Sequence, residues 1–152
     1  MRVARHLFLF AAIAIVIAGC ARGPRVTIVA PDGRRRAAVS VEVAGTPAKR
    51  EVGLMYRKQL GASAGMIFIF RTPAHQEFWM RNTEIPLDMI FADSNRRVIG
   101  VVANAAPHTD TPRAVDGDSQ YVLEVNGGFA AAHAIHAGDR LRFSGFSPTT
   151  GR

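Results

Sequence analysis

The chain has 152 residues, a length that fits one domain better than two. Hydrophobic residues make up 48% and charged residues 20%, the ordinary balance of a folded domain rather than a disordered one. The net charge is +7 and there is a single cysteine, so no intrachain disulfide can brace the fold and core packing must hold it.

Arg2 and Arg5 precede an unbroken apolar run, Leu7 to Ala18, that is short for a membrane span. The run ends at Ile17-Ala18-Gly19-Cys20. This resembles the bacterial lipoprotein signal, in which small residues precede a Cys that takes the lipid and becomes the new N-terminus. The resemblance implies a signal peptide over 1–19, lipidation of Cys20, a tether over 20–25, and export to the cell envelope. Ala21, not Asp, follows the Cys, which in a Gram-negative cell implies the outer membrane, facing the periplasm. Without the signal the domain keeps 17 basic residues against 12 acidic ones. Arg22, Arg25, Arg34, Arg35 and Arg36 crowd the start, where a basic stretch beside a lipid can lean on anionic headgroups. The membrane is the expected partner, and nucleic acid is not expected outside the cytoplasm.

A single β-rich domain is expected over 26–146, with a tail over 147–152. Val26 to Ala30 and Ala37 to Ala44 read as strands joined by Pro31-Asp32-Gly33, which is strong turn chemistry. Thr46-Pro47 is an N-cap followed by Pro at the first helical position, predicting a helix from Ala48 to about Leu60. Gly53 inside it costs about 1 kcal/mol in propensity, a cost that close packing on a strand would justify. Met66 to Phe70 is apolar enough to be buried on both faces, and Val98 to Val102 reads as another buried strand. Between Ala103 and Ser119 there is little periodicity, as in a long functional or mobile loop. Tyr121 to Val125 is a strand, Gly127-Gly128 opens a short Ala-rich helix to about His136, and Asp139 to Phe146 is a last strand. The fold class expected is α+β, mostly β: about eight short, mainly antiparallel strands in a closed or nearly closed barrel-like sheet, with one longer and one short helix.

The most distinctive stretch is FWMRNTEIPLD, Phe78 to Asp88, which holds the only Trp. Alternation puts Phe78, Met80 and Asn82 on one face and Glu77, Trp79 and Arg81 on the other. Pro86 favours a turn, after which Leu87, Met89 and Phe91 resume alternating, so a hairpin is predicted. Its outer face is either a solvated ion pair beside Trp79 or a ligand platform. The platform would be Trp79, Arg81 and Glu77, with Asn82 and Asp88 fixing the turn and available for ligand contact. The planar donors of Arg81 suit an anionic or sugar-like small ligand.

The blocks VEVAGTPAKREVGLMYRKQL, GMIFIF, FWMRNTEIPLDMIF, YVLEV followed by a Gly pair, and IHAGDRL occur in this order over about residues 38 to 144. In this the chain resembles the domain-of-unknown-function family numbered 192. The resemblance implies a small exported or membrane-tethered β-rich domain and supplies no established activity, substrate or cofactor.

The residues themselves offer three functional classes. A non-catalytic binding module is the reading best supported. A hydrolase would need converging acids among Glu77, Glu84, Asp88 and Glu124, and spacing does not show convergence. Copper would use Met55, Met66, Met80, Met89 and His75, although methionines at such positions usually fill cores. His133, His136 and Asp139 are a weaker metal set. No cofactor is expected, and the oligomeric state is not legible.

Overall fold

The structure is a computed structural model that describes residues 23–148. The signal segment, Cys20 and the last four residues lie outside the described residues. Seven strands are arranged: β1 (Arg25–Val29), β2 (Arg35–Ala44), β3 (Ala64–Ala74), β4 (Leu87–Ala92), β5 (Val98–Ala105), β6 (Ser119–Asn126) and β7 (Arg140–Ser144). Two short helices, α1 (Pro47–Val52) and α2 (Phe129–Ala132), complete the fold. The sheet runs β5-β4-β6-β3-β2-β1-β7, antiparallel throughout except for the parallel β2–β3 pair. It curls into a half-barrel whose edge strands meet at one end. There Val98 N donates to Asp139 O at 2.8 Å, Gly138 N to Val98 O at 2.9 Å and Leu141 N to Arg96 O at 2.8 Å. The mostly-β fold expected from the sequence is present; the barrel-like sheet, expected closed or nearly closed with about eight strands, is a curled half-barrel of seven, and both helices are short.

Apolar residues on both faces of β3, β4 and β6 create two cores. Val26, Ile28, Val39, Ile67, Ile90, Leu123 and Leu141 fill the inside of the curl, where Phe129 and Ala130 of α2 join them. Met66, Phe68, Met89, Phe91 and Val122 point the other way and need a second cover. Leu54, just after α1, and Met80 supply it. The continuous runs MIFIF and DMIFA are thus those of strands buried twice over. Val98 to Val102, by contrast, lies at an edge and is only half-buried after Val98.

Local chemistry explains the elements. Asp32 accepts the N–H of Arg34 at 2.9 Å in the β1–β2 turn, and Thr46 caps α1 by accepting from Lys49 N at 3.4 Å. The helix is six residues long, not thirteen, because Gly53 ends it with φ 51°. A Cβ there would also sit 3.1 Å from the Phe68 ring, so glycine serves both the left-handed turn and the close approach.

The predicted hairpin from Phe78 to Phe91 does not form. β4 pairs instead with β5 and β6, and the 76–86 segment crosses over the second core. That segment borrows its backbone partners from the 106–118 loop: Phe78 pairs with Arg113, and Met80 N donates to Thr109 O at 2.9 Å. Sequence alternation fitted a strand there, but the strand's partner lay thirty residues on, where no periodicity marked it.

Two buried charges brace the ends. Asp88, fully buried, accepts backbone N–H groups from Asn104 at 2.7 Å, Gly128 at 3.0 Å and Ala130 at 2.7 Å. Asp139, also fully buried, pairs with Arg36 Nε at 2.8 Å. Asp88→Ala would leave three backbone donors without their acceptor, and we expect a loss of about 3–5 kcal/mol, with Asp88→Asn intermediate. Urea denaturation checks this; a loss below about 1 kcal/mol for Asp88→Ala would show the three bonds to be dispensable.

Candidate functional site

The cover over the second core is incomplete, and the gap is a cleft of about 290 Å³. Arg50, Glu51 and Val52 of α1 form one wall and Gln76 to Trp79 the opposite one, with Phe68 and Phe70 of β3 between them. Phe78 anchors the second wall by edge-to-face contacts with Phe68, Phe70 and Phe91 at 5.0, 6.2 and 5.8 Å. Trp79 stays 48% exposed at the rim.

Glu124 lies at the bottom. Its register on β6 sets it opposite Met66 of β3 and Met89 of β4, on the face of the second core. The residue is only 4% exposed, yet among the described residues no group hydrogen-bonds its carboxyl. Burial without a partner pushes its pKa up from 4.5 to about 8. At neutral pH it is therefore a carboxylic acid, able to donate as well as accept, at the base of an open cleft. Glu51 and Glu77 at the rim are exposed, so the cleft holds acidic side chains in two contrasting environments.

The positive charge nearest the cleft is already engaged. Arg50 donates to the carbonyls of Gly45 at 3.0 Å and Ile69 at 2.9 Å, and its guanidinium lies over the Phe70 ring at 5.1 Å. Arg81 stacks over Trp79 at 4.9 Å but does not line the cleft. Its Nε donates to Asp110 at 2.9 Å, and that bond raises its pKa further.

The five side chains singled out from the sequence thus separate. Glu77 and Trp79 border the cleft, while Arg81 backs Trp79 from outside. Asn82, in left-handed geometry at φ 52°, ties the segment to the turn after α1: its side chain donates to the Tyr56 hydroxyl at 3.0 Å, and its carbonyl accepts Tyr56 N at 2.7 Å. Asp88 braces β5 and α2, as described above, away from the cleft lining. Glu124 was among the candidate acids, but its place was missed. The signal available was a glutamate inside YVLEV, at a position whose alternation with Val122 points it at a core.

The metal alternatives fare poorly on donor chemistry. Met66, Met80 and Met89 are core side chains, and His75 is exposed. Both His136 ring nitrogens are engaged, Nε2 by Arg36 at 2.8 Å and Nδ1 by the Ala137 carbonyl at 3.0 Å. Among the described residues no group of three or more His, Cys, Asp or Glu is placed to hold a metal.

The profile of the family DUF192, an uncharacterized ACR family, matches residues 27–143. A protein of unknown function from Novosphingobium aromaticivorans DSM 12444 is 44% identical, with a TM-score of 0.73 over 78% of this chain and 83% of that one. A protein from Sinorhizobium meliloti 1021, provisionally described as a transcription regulator, is 36% identical, with a TM-score of 0.76 over 81% and 95% of the two chains. Comparison with curated proteins finds no match.

The state of Glu124 makes a stability prediction. Its folded pKa, about 8, lies above its ordinary 4.5, so the folded state holds the proton more tightly than the unfolded state. Stability from this group is full below about pH 4.5 and is lost as pH rises towards 8, by an amount on the order of 4 kcal/mol. Glu124→Gln removes that loss. Urea denaturation at pH 5 and pH 9 should show the parent falling relative to the variant, and parallel behaviour would refute the burial of an unpartnered acid.

Proposed function

The chain belongs to the DUF192 family, and for this member we propose that the cleft over Glu124 binds a small, neutral, hydroxyl-bearing ligand of sugar-like size and chemistry. The domain would do so as a module held at the cell envelope by a lipid on Cys20.

The observation that carries this reading is Glu124 itself. An unpaired acid in a buried setting is costly, and a ligand oxygen that accepts its proton would supply the missing hydrogen bond. Phe68, Phe70, Phe78 and Trp79 supply the apolar part of a ligand site, and polar side chains share its lining. Trp79 offers a flat surface at the mouth, stiffened from behind by Arg81 and Asp110.

Charge decides the ligand class. The sequence pointed to an anion on the strength of Arg81, but that guanidinium faces Asp110 instead. Arg50 is held by backbone carbonyls, and two exposed glutamates flank the opening. An anion would meet those carboxylates before any free cation, so a neutral ligand is favoured.

Envelope attachment rests on the Leu7 to Cys20 pattern, an apolar run that ends in small residues and a Cys. Among the described residues no helix is long and apolar enough to cross a membrane.

Two measurements test the proposal. Calorimetry at pH 6.5 against neutral monosaccharides and their uronic acid counterparts should find the neutral forms tighter, with Trp79→Ala and Glu124→Leu each weakening binding about tenfold or more. Tighter uptake of the acids, or indifference to both substitutions, would remove the cleft as the binding site. Separately, Cys20→Ala should release the protein from the membrane fraction of cells; a variant that stays membrane-bound like the parent would contradict lipid anchoring.

A further inference from the structure

Taking the binding reading one step further, and resting on it, we propose that the cleft hydrolyses small glycosides, with Glu124 as the general acid and Glu77 as the base. The juxtaposition behind this is specific: one acid nearly buried at the bottom of the cleft without a hydrogen-bond partner among the described residues, and another in solvent on the wall that carries Trp79. Environments that separate two carboxyl groups in this way suit them to opposite roles, the buried one as proton donor and the solvent-facing one as proton acceptor. A purely structural glutamate at this position would be expected to bond to backbone, as Asp88 does through three N–H groups. Glu124 bonds to none and opens towards the cleft instead.

The chemistry that such a pair can perform is cleavage of an acetal. Glu124 donates its proton to the bridging oxygen of the glycosidic bond. The carbon–oxygen bond breaks, and its electron pair goes to that oxygen, which leaves as an alcohol. Water adds to the anomeric carbon as the carboxylate of Glu77, acting as the base, takes a proton from it. The sum is glycoside plus water giving sugar plus alcohol. Proton exchange with solvent restores Glu77 to the anion and Glu124 to the acid. No oxidant, metal or cofactor is required. A cleft of about 290 Å³ has room for one sugar ring and a modest leaving group.

The charged and titratable groups that share the cleft with Glu124 are Arg50 and Glu51 from α1 and Glu77 from the facing wall. From β3 and β4 it meets Met66 and Met89, which do not titrate. Arg50 is committed to the carbonyls of Gly45 and Ile69, so it leaves the acid of Glu124 uncompensated.

The test uses the full-length chain in detergent, a panel of nitrophenyl and methyl glycosides of common neutral sugars, and the matching non-hydrolysable thioglycosides. The parent should release sugar from at least one glycoside, and the rate should fall as pH rises through about 8. Glu124→Gln should cut the methyl glycoside rate by about 10²–10⁴, but the nitrophenyl rate much less, because nitrophenol leaves without a proton. Glu77→Gln should slow both alike. Thermal unfolding shows that each variant is folded, and calorimetry with the thioglycoside shows that each still binds. Thioglycoside binding without turnover would overturn the catalytic proposal and leave the binding module standing. Failure to bind any thioglycoside, with no turnover, would overturn both. Turnover that Glu124→Gln leaves unchanged on methyl glycosides would overturn the assignment of Glu124 as the acid.

Discussion

The constraint on which the molecule depends is that three neighbouring strands, β3, β4 and β6, are apolar on both faces. A curled sheet can bury one face in itself, and here it does so with Ile67, Ile90 and Leu123. The other face, with Met66, Phe68, Met89 and Phe91, must be covered by whatever the connections provide. In a chain this short the connections are α1 and the 76–86 segment, neither of which is regular enough to seal a sheet. Coverage by two irregular pieces leaves a seam between them. The cleft is that seam, and the apolar part of its lining, Phe68, Phe70 and Phe78, belongs to the second core.

The position of the buried acid follows from the same arrangement. β6 lies between β3 and β4, so any polar residue on its outward side is surrounded by apolar neighbours and shielded by the cover. Asp88 and Asp139 show how this protein treats carboxylates that serve the fold. Each is fully buried and fully occupied, Asp88 by three backbone donors and Asp139 by Arg36 and the N–H of His136. Of the three buried acids in this small domain, two are satisfied by hydrogen bonds and one is left open to a cleft.

Much of the fold was legible because it is written in local chemistry. Pro31-Asp32-Gly33, the Thr46-Pro47 cap and the doubly apolar runs each specify their own structure within a few residues. What escaped was non-local. The Phe78 to Phe91 stretch has the alternation of a hairpin, but pairing is decided by partners, and its partner was the irregular 106–118 loop. The helix was overextended because polar residues continue to Leu60, whereas a single left-handed glycine against Phe68 stopped it at Val52. The site was half visible. Trp79 and Glu77 stood out by type and spacing, while Arg81 misled, since no pattern in sequence shows that Asp110, twenty-nine residues away, would claim it. Glu124 was visible as a residue but not as a site, because its meaning lies in the absence of a partner.

The parallel pairing of β2 with β3 has a consequence for how the cleft is built. Parallel neighbours require a crossover, and α1 is part of that crossover, secured at one end by β2 and at the other by β3. Asn126 fastens the later part of the connection by donating to the carbonyls of Leu60 and Gly61 at 3.2 and 3.0 Å. One wall of the cleft is therefore tied into the sheet at both ends, and Arg50 adds a tie from α1 itself to the carbonyls of Gly45 and Ile69. A wall already ordered in this way leaves less ordering to be done by whatever would fill the seam, and so lowers the entropic cost of filling it.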